Sequence, residues 1–240
     1  MPVLSGLIRV GHKGADHVAP GNTAASFEAA LEHGVDMIEF DVLRTRDGRL
    51  VLAHDYADSE RRECLTLDEG LEHFAGEAYA GVELDVDLKL PGYEREVVQG
   101  LARHGLLERS LVSTMYPESL DRLAELQPGL RRGWSVPRVR RNYLKAPLYV
   151  RVPAYGMAAY MRARLPGLAS GRIRSGGCEA IMSHHILVSR RLVRAVHAAG
   201  GQLYVWTVDE RPKIRALEAL GVDGVITNDP RLFDPLTPSA

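Results

Sequence analysis

Two carboxylates stand at alternate positions of one apolar run, Ile38-Glu39-Phe40-Asp41-Val42. Successive side chains of a β-strand point to opposite faces, so we expect Glu39 and Asp41 on the same face. Burying two carboxylates side by side is unfavourable unless protons, basic groups or a cation neutralise them. The pair therefore predicts either a cation site or salt bridges to neighbouring lysine and arginine residues.

A second run, from Val82 to Lys89, repeats this pattern on what we predict to be the next strand of the sheet. Side chains at the C-terminal end of such a strand collect at the active site of a barrel enzyme, which favours Asp87 and Lys89. Together, Glu39, Asp41 and Asp87 form an oxygen-only ligand set. Such a set suits a hard divalent cation, Mg²⁺ or Ca²⁺, better than zinc. One face of the run carries all its polar side chains: Glu83, Asp85, Asp87 and Lys89.

Two histidines are placed to transfer protons near this site. His12 ends the first predicted strand, and His54 ends a short excursion that follows the second. Imidazoles on either side of a phosphorus centre can take up one proton and release another near neutral pH. A lone histidine is more often structural, but two at strand ends beside paired carboxylates favour an acid–base pair.

The elements that must position these residues alternate between short apolar runs and longer amphipathic ones. Near-continuous apolar runs are typical of strands buried on both faces of a parallel sheet. Eight strands with helices between most of them predict an α/β fold, a single (β/α)8 TIM-type barrel, and an open flavodoxin-like sheet is the alternative. The predicted strands are Ile8 to His12, Met37 to Leu43, Val82 to Leu88, Leu111 to Thr114, Arg131 to Ser135, Glu179 to Ser183, Gln202 to Thr207 and Gly224 to Thr227.

Helical periodicity and turn residues complete the predicted layout. The Asp47-Gly48 turn predicts an extra short strand that carries His54 to the active-site face. Prolines between positions 136 and 177 predict an elaborated βα connection rather than a single helix. The predicted helices are Thr23 to His33, Glu94 to His104, Glu118 to Leu126, Ser189 to Ala199 and Arg211 to Leu220.

Composition narrows the class of protein. The 240 residues carry a formal net charge of −1 and only two cysteines, so a disulfide framework is not expected. We predict one domain over residues 1–240 and, because no segment is long and apolar enough for a membrane span, a cytoplasmic location. The stretch from Leu126 to Cys178 is basic and contains no Asp or Glu. The near-zero net charge and the lack of a recognised motif argue against nucleic-acid binding.

The order of the motifs resembles the glycerophosphodiester phosphodiesterase family. The motifs that carry the resemblance are His12-Lys13-Gly14, Pro20-Gly21-Asn22-Thr23, Ile38-Glu39-Phe40-Asp41-Val42, Thr45-Arg46-Asp47-Gly48, Val51-Leu52-Ala53-His54-Asp55, Val205-Trp206-Thr207-Val208 and Gly221-Val222-Asp223-Gly224. The resemblance covers most of the chain, and the segment from 136 to 177 is the least similar.

The resemblance implies a (β/α)8 barrel that hydrolyses small phosphodiesters such as glycerophosphocholine with a divalent metal. It makes Glu39, Asp41 and Asp87 the ligands, and it makes His12 and His54 the acid and base in an order that the sequence leaves open. The remaining site residues are expected to contact substrate or phosphate. They are Lys13, Lys89, Asn22 and Trp206, the last as an apolar wall.

Three positions depart from the family pattern. Asp87 replaces a glutamate, which shortens the ligand arm by one methylene. Lys13 replaces an arginine and loses its bidentate fork. Gly21 replaces a glutamate, so we expect the mouth to be one acidic group short.

Two other functions fit parts of the sequence. The basic, tyrosine-containing segment fits a phospholipase D-like or lysophospholipase D-like enzyme in peripheral contact with an anionic membrane. The three departures fit a barrel that binds metal or phosphate without catalysis.

Overall fold

The computed structural model describes residues 6–138 and 148–234, and the side chains of residues 148–154 are outside the description. Eight parallel strands form a closed barrel, because the first strand pairs with both the second and the last. The (β/α)8 prediction is confirmed. The strands are β1 (Ile8–His12), β2 (Met37–Arg44), β3 (Leu50–Leu52), β4 (Glu83–Leu88), β5 (Ser110–Thr114), β6 (Arg131–Val136), β7 (Ala180–His184), β8 (Gln202–Trp206) and β9 (Gly224–Thr227).

Helices surround the barrel and alternate with its strands. Five predicted helices are present within two residues of their expected bounds, while two short ones between β3 and β4 were not predicted from the sequence. The helices are α1 (Ala24–Glu32), α2 (Tyr56–Arg61), α3 (Leu67–Ala75), α4 (Glu94–Arg103), α5 (Pro117–Leu126), α6 (Leu148–Arg174), α7 (Arg190–Ala198) and α8 (Arg211–Leu220).

Local sequence explains several helix ends. Thr23 caps α1, since its hydroxyl accepts a hydrogen bond from the Ser26 amide at 3.3 Å. Gly221 ends α8 in the left-handed conformation, with φ of 87°, which glycine adopts without strain. β3 is antiparallel to β2, as the Asp47-Gly48 turn predicts, and it returns the chain to the mouth of the barrel just before His54.

The prediction that prolines interrupt any single helix in the basic segment is wrong for α6, which runs through Pro153 and Pro166. Leu165, Ala169 and Ile173 are buried in the core at a spacing of four residues. This packing offsets the hydrogen bond that a proline removes from a helix. Part of the basic stretch, including Arg140, Arg141 and Lys145, lies outside the described residues.

Strand alternation divides the buried side chains into two layers. On β2, Ile38, Phe40 and Val42 pack outward into the cluster between strands and helices. Met37 points inward, where it packs with Tyr204 and other residues of the barrel interior. Glu39 and Asp41 share this inward face, nearer the C-terminal end of the strand. Apolar packing therefore fills the lower barrel and leaves the polar groups at its mouth.

Within residues 6–138 and 148–234, no helix combines the length and the apolar character needed to cross a bilayer.

Candidate active site

A cavity of about 270 Å³ opens at the C-terminal ends of the barrel strands. Its polar wall includes His12, His54 and three carboxylates, Glu39 from β2 and Asp85 and Asp87 from β4. The apolar part of the cavity wall consists of four side chains: Met115, Met182, Trp206 and Ile226. A polar reaction centre with apolar walls is typical of a site for a small organic ligand.

Three carboxylates converge at the wall of this cavity, where Glu39 and Asp87 line it and Asp41 lies buried behind them. Glu39, Asp41 and Asp87 each contribute an oxygen, and these oxygens lie within 4.8 Å of one another. The register of the barrel brings them together, because Asp41 stands directly beside Asp87 in the β2–β4 pairing. All three are buried. The donor set fits a hard divalent cation, and Asp87 reaches the cluster despite its shorter arm.

The charges of this cluster are incompletely balanced by the protein. Burial, and then the charge of Asp41, raises the pKa of Glu39 well above its usual value. Burial acts in the same direction on Asp41, but Lys89 and His54 outweigh it and hold the pKa of Asp41 well below its usual value. Lys89 pairs with both Asp41 and Asp87. A cation at this point would add the positive charge that three ionised carboxylates need.

His12 is held by a chain of contacts from the far end of the sequence. Its Nδ1 lies 2.5 Å from Oδ1 of Asn228, and Nδ2 of Asn228 donates to Asp209 at 2.8 Å. Since the amide NH₂ is occupied by Asp209, Oδ1 must accept from the Nδ1–H of His12. This leaves Nε2 without a proton, 3.9 Å from Glu39. Burial lowers the pKa of His12 to about 4, so the ring is neutral at pH 7.

His54 follows β3 and contacts a different member of the cluster. Its Nδ1 lies 3.2 Å from Oδ2 of Asp41, and about half of its side chain is exposed. The histidine lines both the cavity and a neighbouring polar groove of about 430 Å³. Each imidazole therefore adjoins one carboxylate, with the mostly buried ring of His12 next to Glu39 and the more exposed ring of His54 next to Asp41.

Comparison with known proteins identifies the family of this chain. The model of the glycerophosphoryl diester phosphodiesterase family matches residues 12–72 and 63–232. The chain belongs to this family. A glycerophosphodiester phosphodiesterase from Caldanaerobacter subterraneus subsp. tengcongensis is 27% identical, over 92% of this chain and 93% of the relative. A putative glycerophosphodiester phosphodiesterase from Bacillus subtilis is 26% identical, over 92% and 94%.

Solved structures share the fold. A putative glycerophosphoryl diester phosphodiesterase from Silicibacter pomeroyi superimposes with a TM-score of 0.73 at 20% identity, covering 97% of this chain and 92% of its own. A phosphodiesterase from Oleispira antarctica, solved with the product sn-glycerol-3-phosphate, gives 0.68 at 21% identity over 93% of both chains. These likenesses support the barrel independently of the sequence pattern.

The four residues expected to contact substrate or phosphate do not all lie in the cavity. Asn22 is fully buried, donating to Asp41 at 2.8 Å and accepting from the Asp41 amide at 3.0 Å. It therefore orients a predicted ligand. Trp206 forms part of the cavity wall, and its indole N–H donates to the Met182 carbonyl at 2.8 Å. Lys89 lines the cavity, whereas Lys13 lines the neighbouring groove.

Sequence reasoning missed residues whose role depends on distant partners. Asp209 is one, because 19 residues separate it from Asn228 and nothing in its neighbours marks it. Asp85 is a different case, because the sequence places it on the polar face of β4 but does not select it as a site residue. It lines the cavity, burial raises its pKa to about 8, and its Oδ1 has no hydrogen-bond partner. The alternation on β4 was the available signal for Asp85.

The sequence predicts that Gly21 leaves the mouth one acidic group short, and the structure places the carboxylate of Asp16 beside this glycine. Asp16 occupies the space beside Gly21, and its Oδ1 accepts a hydrogen bond from the Gly21 amide at 2.8 Å. Its Oδ2 lies 2.5 Å from Nζ of Lys13. A carboxylate is present at this position of the mouth, supplied by another residue.

Proposed function

We propose that this enzyme hydrolyses glycerophosphodiesters to glycerol 3-phosphate and an alcohol, using His12 and His54 as its acid–base pair and a divalent cation, Mg²⁺ or Ca²⁺. The observation that carries the proposal is that two imidazoles line one cavity beside a cluster of three carboxylates, two of which, Glu39 and Asp87, also line it. Membership of a phosphodiesterase family supports the reaction class. The names of the curated relatives support the glycerophosphodiester substrate.

The reaction needs one proton removed and one delivered. One imidazole takes the proton from the attacking oxygen, which belongs to water or to a neighbouring glycerol hydroxyl, and the other protonates the departing alkoxide. If the glycerol hydroxyl attacks, a cyclic phosphate forms and water opens it in a second step. The unprotonated Nε2 of His12 is ready to accept a proton, and the exposed ring of His54 can exchange protons with solvent.

Glu39, Asp41 and Asp87 would hold the cation, which supplies positive charge to the phosphate oxygens when it is bound. Asn22 keeps Asp41 oriented through two hydrogen bonds. Lys89 lies between Asp41 and Asp87 and adds a fixed positive charge to the same wall. Lys13 adds another at the adjoining groove.

The size of the cavity favours a small diester. Its volume of about 270 Å³ is close to the lower limit of roughly 300 Å³ for pockets that hold drug-sized ligands. Trp206, Met182 and Ile226 offer apolar contact to the carbon skeleton of a glycerol or alcohol group. A long acyl chain would have to extend beyond these walls.

The direct test is turnover by purified protein stripped of metal with a chelator. Glycerophosphocholine, glycerophosphoethanolamine and lysophosphatidylcholine are each supplied with and without Mg²⁺ or Ca²⁺. The phosphomonoester released is measured, which is glycerol 3-phosphate from the first two and lysophosphatidic acid from the third. We expect release from the first two only when metal is restored. Absence of release from every substrate in the presence of metal would contradict the proposal and favour a barrel without catalysis.

Two substitutions test the roles of the histidines. His12→Ala and His54→Ala should each lower kcat by about 10²- to 10⁴-fold, the usual contribution of a positioned proton-transfer group. His197→Ala is the matched control, because His197 lies on α7, pairs with Asp223 and is absent from the cavity lining. Unchanged kcat in either active-site variant would refute its assignment.

The lipid-acting alternative rests on a specific feature of α6. Among the side chains of α6 that the structure describes, from residue 155 onward, four large apolar ones are exposed, namely Tyr155, Met157, Tyr160 and Leu168. Exposed arginines accompany them, and basic residues with aromatic side chains favour an anionic bilayer surface. Co-sedimentation with phosphatidylserine vesicles at low salt, together with turnover confined to lysophosphatidylcholine, would favour this alternative. Failure to co-sediment would remove it.

A further inference from the structure

The backbone of Lys13 is fixed on both sides. Its amide donates to Oε2 of Glu39 at 2.8 Å, and its carbonyl accepts from the Asn22 amide at 3.0 Å and from the Ser26 hydroxyl at 2.7 Å. The residue adopts a left-handed conformation with φ of 52°. These contacts place the Cα of Lys13 at the mouth of the barrel, but they do not determine where its long side chain points.

Asp16 determines that direction. One carboxylate oxygen lies 2.5 Å from Nζ of Lys13, and the other accepts from the Gly21 amide at 2.8 Å. Lys13 and Asp16 line the polar groove that also contains His54. Both side chains are mostly buried, with 18% and 27% of their surface exposed. One carboxylate thus joins an active-site ammonium group to the turn that precedes Asn22.

Gly21 makes room for this carboxylate. A Cβ at this position would lie 2.5 Å from Oδ1 and 2.9 Å from Cγ of Asp16, and 2.9 Å from Cβ of Lys13. Distances below about 3 Å are not compatible with van der Waals packing, so any larger residue would displace the pair. The φ of Gly21 lies outside the left-handed region, so the constraint is one of space rather than of backbone conformation.

We propose that Asp16 is a positioning residue of the active site, which holds the Lys13 ammonium beside His54 where a substrate phosphodiester enters, and that residue 21 is a glycine to admit its carboxylate. The inference rests on the proposed function. Without Asp16, the flexible lysine chain would sample many rotamers, and each encounter with the phosphate would have to order it. The effect therefore belongs to substrate binding and only weakly to the chemical step.

Asp16→Asn distinguishes the ion pair with Lys13 from the hydrogen bond to the Gly21 amide. The asparagine oxygen can still accept from the Gly21 amide, whereas the attraction for Lys13 is lost. We expect KM for glycerophosphocholine to rise about fivefold with kcat within about twofold of the original, the pattern for lost binding. Thermal unfolding should be unchanged. An unchanged or lower KM, or a loss confined to thermal stability, would overturn the inference.

A control variant and a double-mutant cycle test whether Asp16 acts on substrate binding through Lys13. Glu125→Gln removes an exposed ion pair with Arg122 on α5 and should leave KM unchanged. Lys13→Met should raise KM, and adding Asp16→Asn to Lys13→Met should have little further effect, because Asp16 acts through the ammonium. Equal effects of Asp16→Asn with and without Lys13 would refute the positioning role.

The unsubstituted protein distinguishes failure of this inference from failure of the proposed function. If it releases no glycerol 3-phosphate with metal present, the proposed function fails. If it is active and Asp16→Asn leaves its KM unchanged, only the role of Asp16 fails.

Discussion

At the scale of single residues, His12 depends most on contacts that are remote in sequence. Asn228 is 216 residues away, yet its side-chain oxygen determines which nitrogen of His12 carries the proton. Asp209 in turn prevents the amide from rotating by binding both the backbone and side-chain nitrogens of Asn228. The tautomer that exposes Nε2 to the cavity therefore depends on contacts between the end of β1 and the two loops that follow β8 and β9.

This arrangement predicts that Asn228→Ala lowers kcat. A hydrogen bond contributes about 1 kcal/mol net, so the loss of orientation should reduce kcat roughly fivefold while KM changes little. Steady-state kinetics on glycerophosphocholine would measure it. In a His12→Ala background the same substitution should have no further effect, and an additive loss would show that Asn228 acts on something other than His12.

At the scale of elements, the barrel interior limits side-chain size on β6. A Cβ on Gly133 would lie 2.9 Å from Leu111, 3.0 Å from Met182 and 3.1 Å from Ser113. Those neighbours belong to β5 and β7, the strands that pair with β6. A glycine here is thus required by packing across three strands.

We expect Gly133→Ala to lower the free energy of unfolding by about 1–3 kcal/mol, the usual cost of overpacking. Gly129→Ala is the matched control, because a Cβ there meets no atom within 4 Å and the φ lies outside the left-handed region. It should change stability by less than about 0.5 kcal/mol. Urea unfolding at equilibrium would measure both, and equal stability of the two variants would contradict the packing argument.

The contact between Arg9 on β1 and Asp36, which precedes β2, predicts that the stability of the protein depends on pH. Burial acts to raise the pKa of Asp36, but hydrogen bonds from Arg9 outweigh it and lower the pKa below the ordinary 3.8. The backbone amide and side chain of Arg9 donate to this carboxylate at 2.8 and 2.9 Å. A lowered folded-state pKa means that the stabilisation is present above the ordinary pKa and is lost as the pH falls through the lowered one.

Asp36→Asn should therefore lower the free energy of unfolding by about 1 kcal/mol at pH 7, since the pair is partly exposed. The difference between the two proteins should shrink as the pH falls below 3.8. Denaturant unfolding at several pH values would show it. A difference that is constant with pH would mean that the Arg9–Asp36 charges contribute nothing.

At the scale of the whole molecule, the proposed cation site predicts that metal binding and folding are coupled. Glu39 and Asp41 come from β2 and Asp87 from β4, so the unfolded chain has no assembled site. A ligand that binds only the folded state stabilises it by mass action. The site should therefore be visible in the thermal stability of the protein, independently of turnover.

Adding Mg²⁺ or Ca²⁺ at about 100 times its Kd should stabilise the chelator-treated protein by about 2.7 kcal/mol. For a chain of this size the corresponding rise in Tm is roughly 5–10 °C. Asp87→Asn should abolish most of the rise. Asp85→Asn, one repeat deeper on the same strand and outside the ligand set, should keep at least about half of it. Equal loss in both variants would contradict the assignment of ligands.

The sequence by itself determined the strand order, the predicted ligands Glu39, Asp41 and Asp87, and the histidines at the strand ends. Local periodicity and short motifs specify these features, because alternation along a strand fixes which side chains share a face. Helix α6 was misjudged, since its packing with α7 and the core is not readable from its prolines. Only the tertiary structure decided the tautomer of His12, the partner of Lys13 and the reason for Gly21. These three features depend on contacts between residues that are far apart in the sequence and come together only when the barrel closes. Local sequence patterns do not specify such contacts.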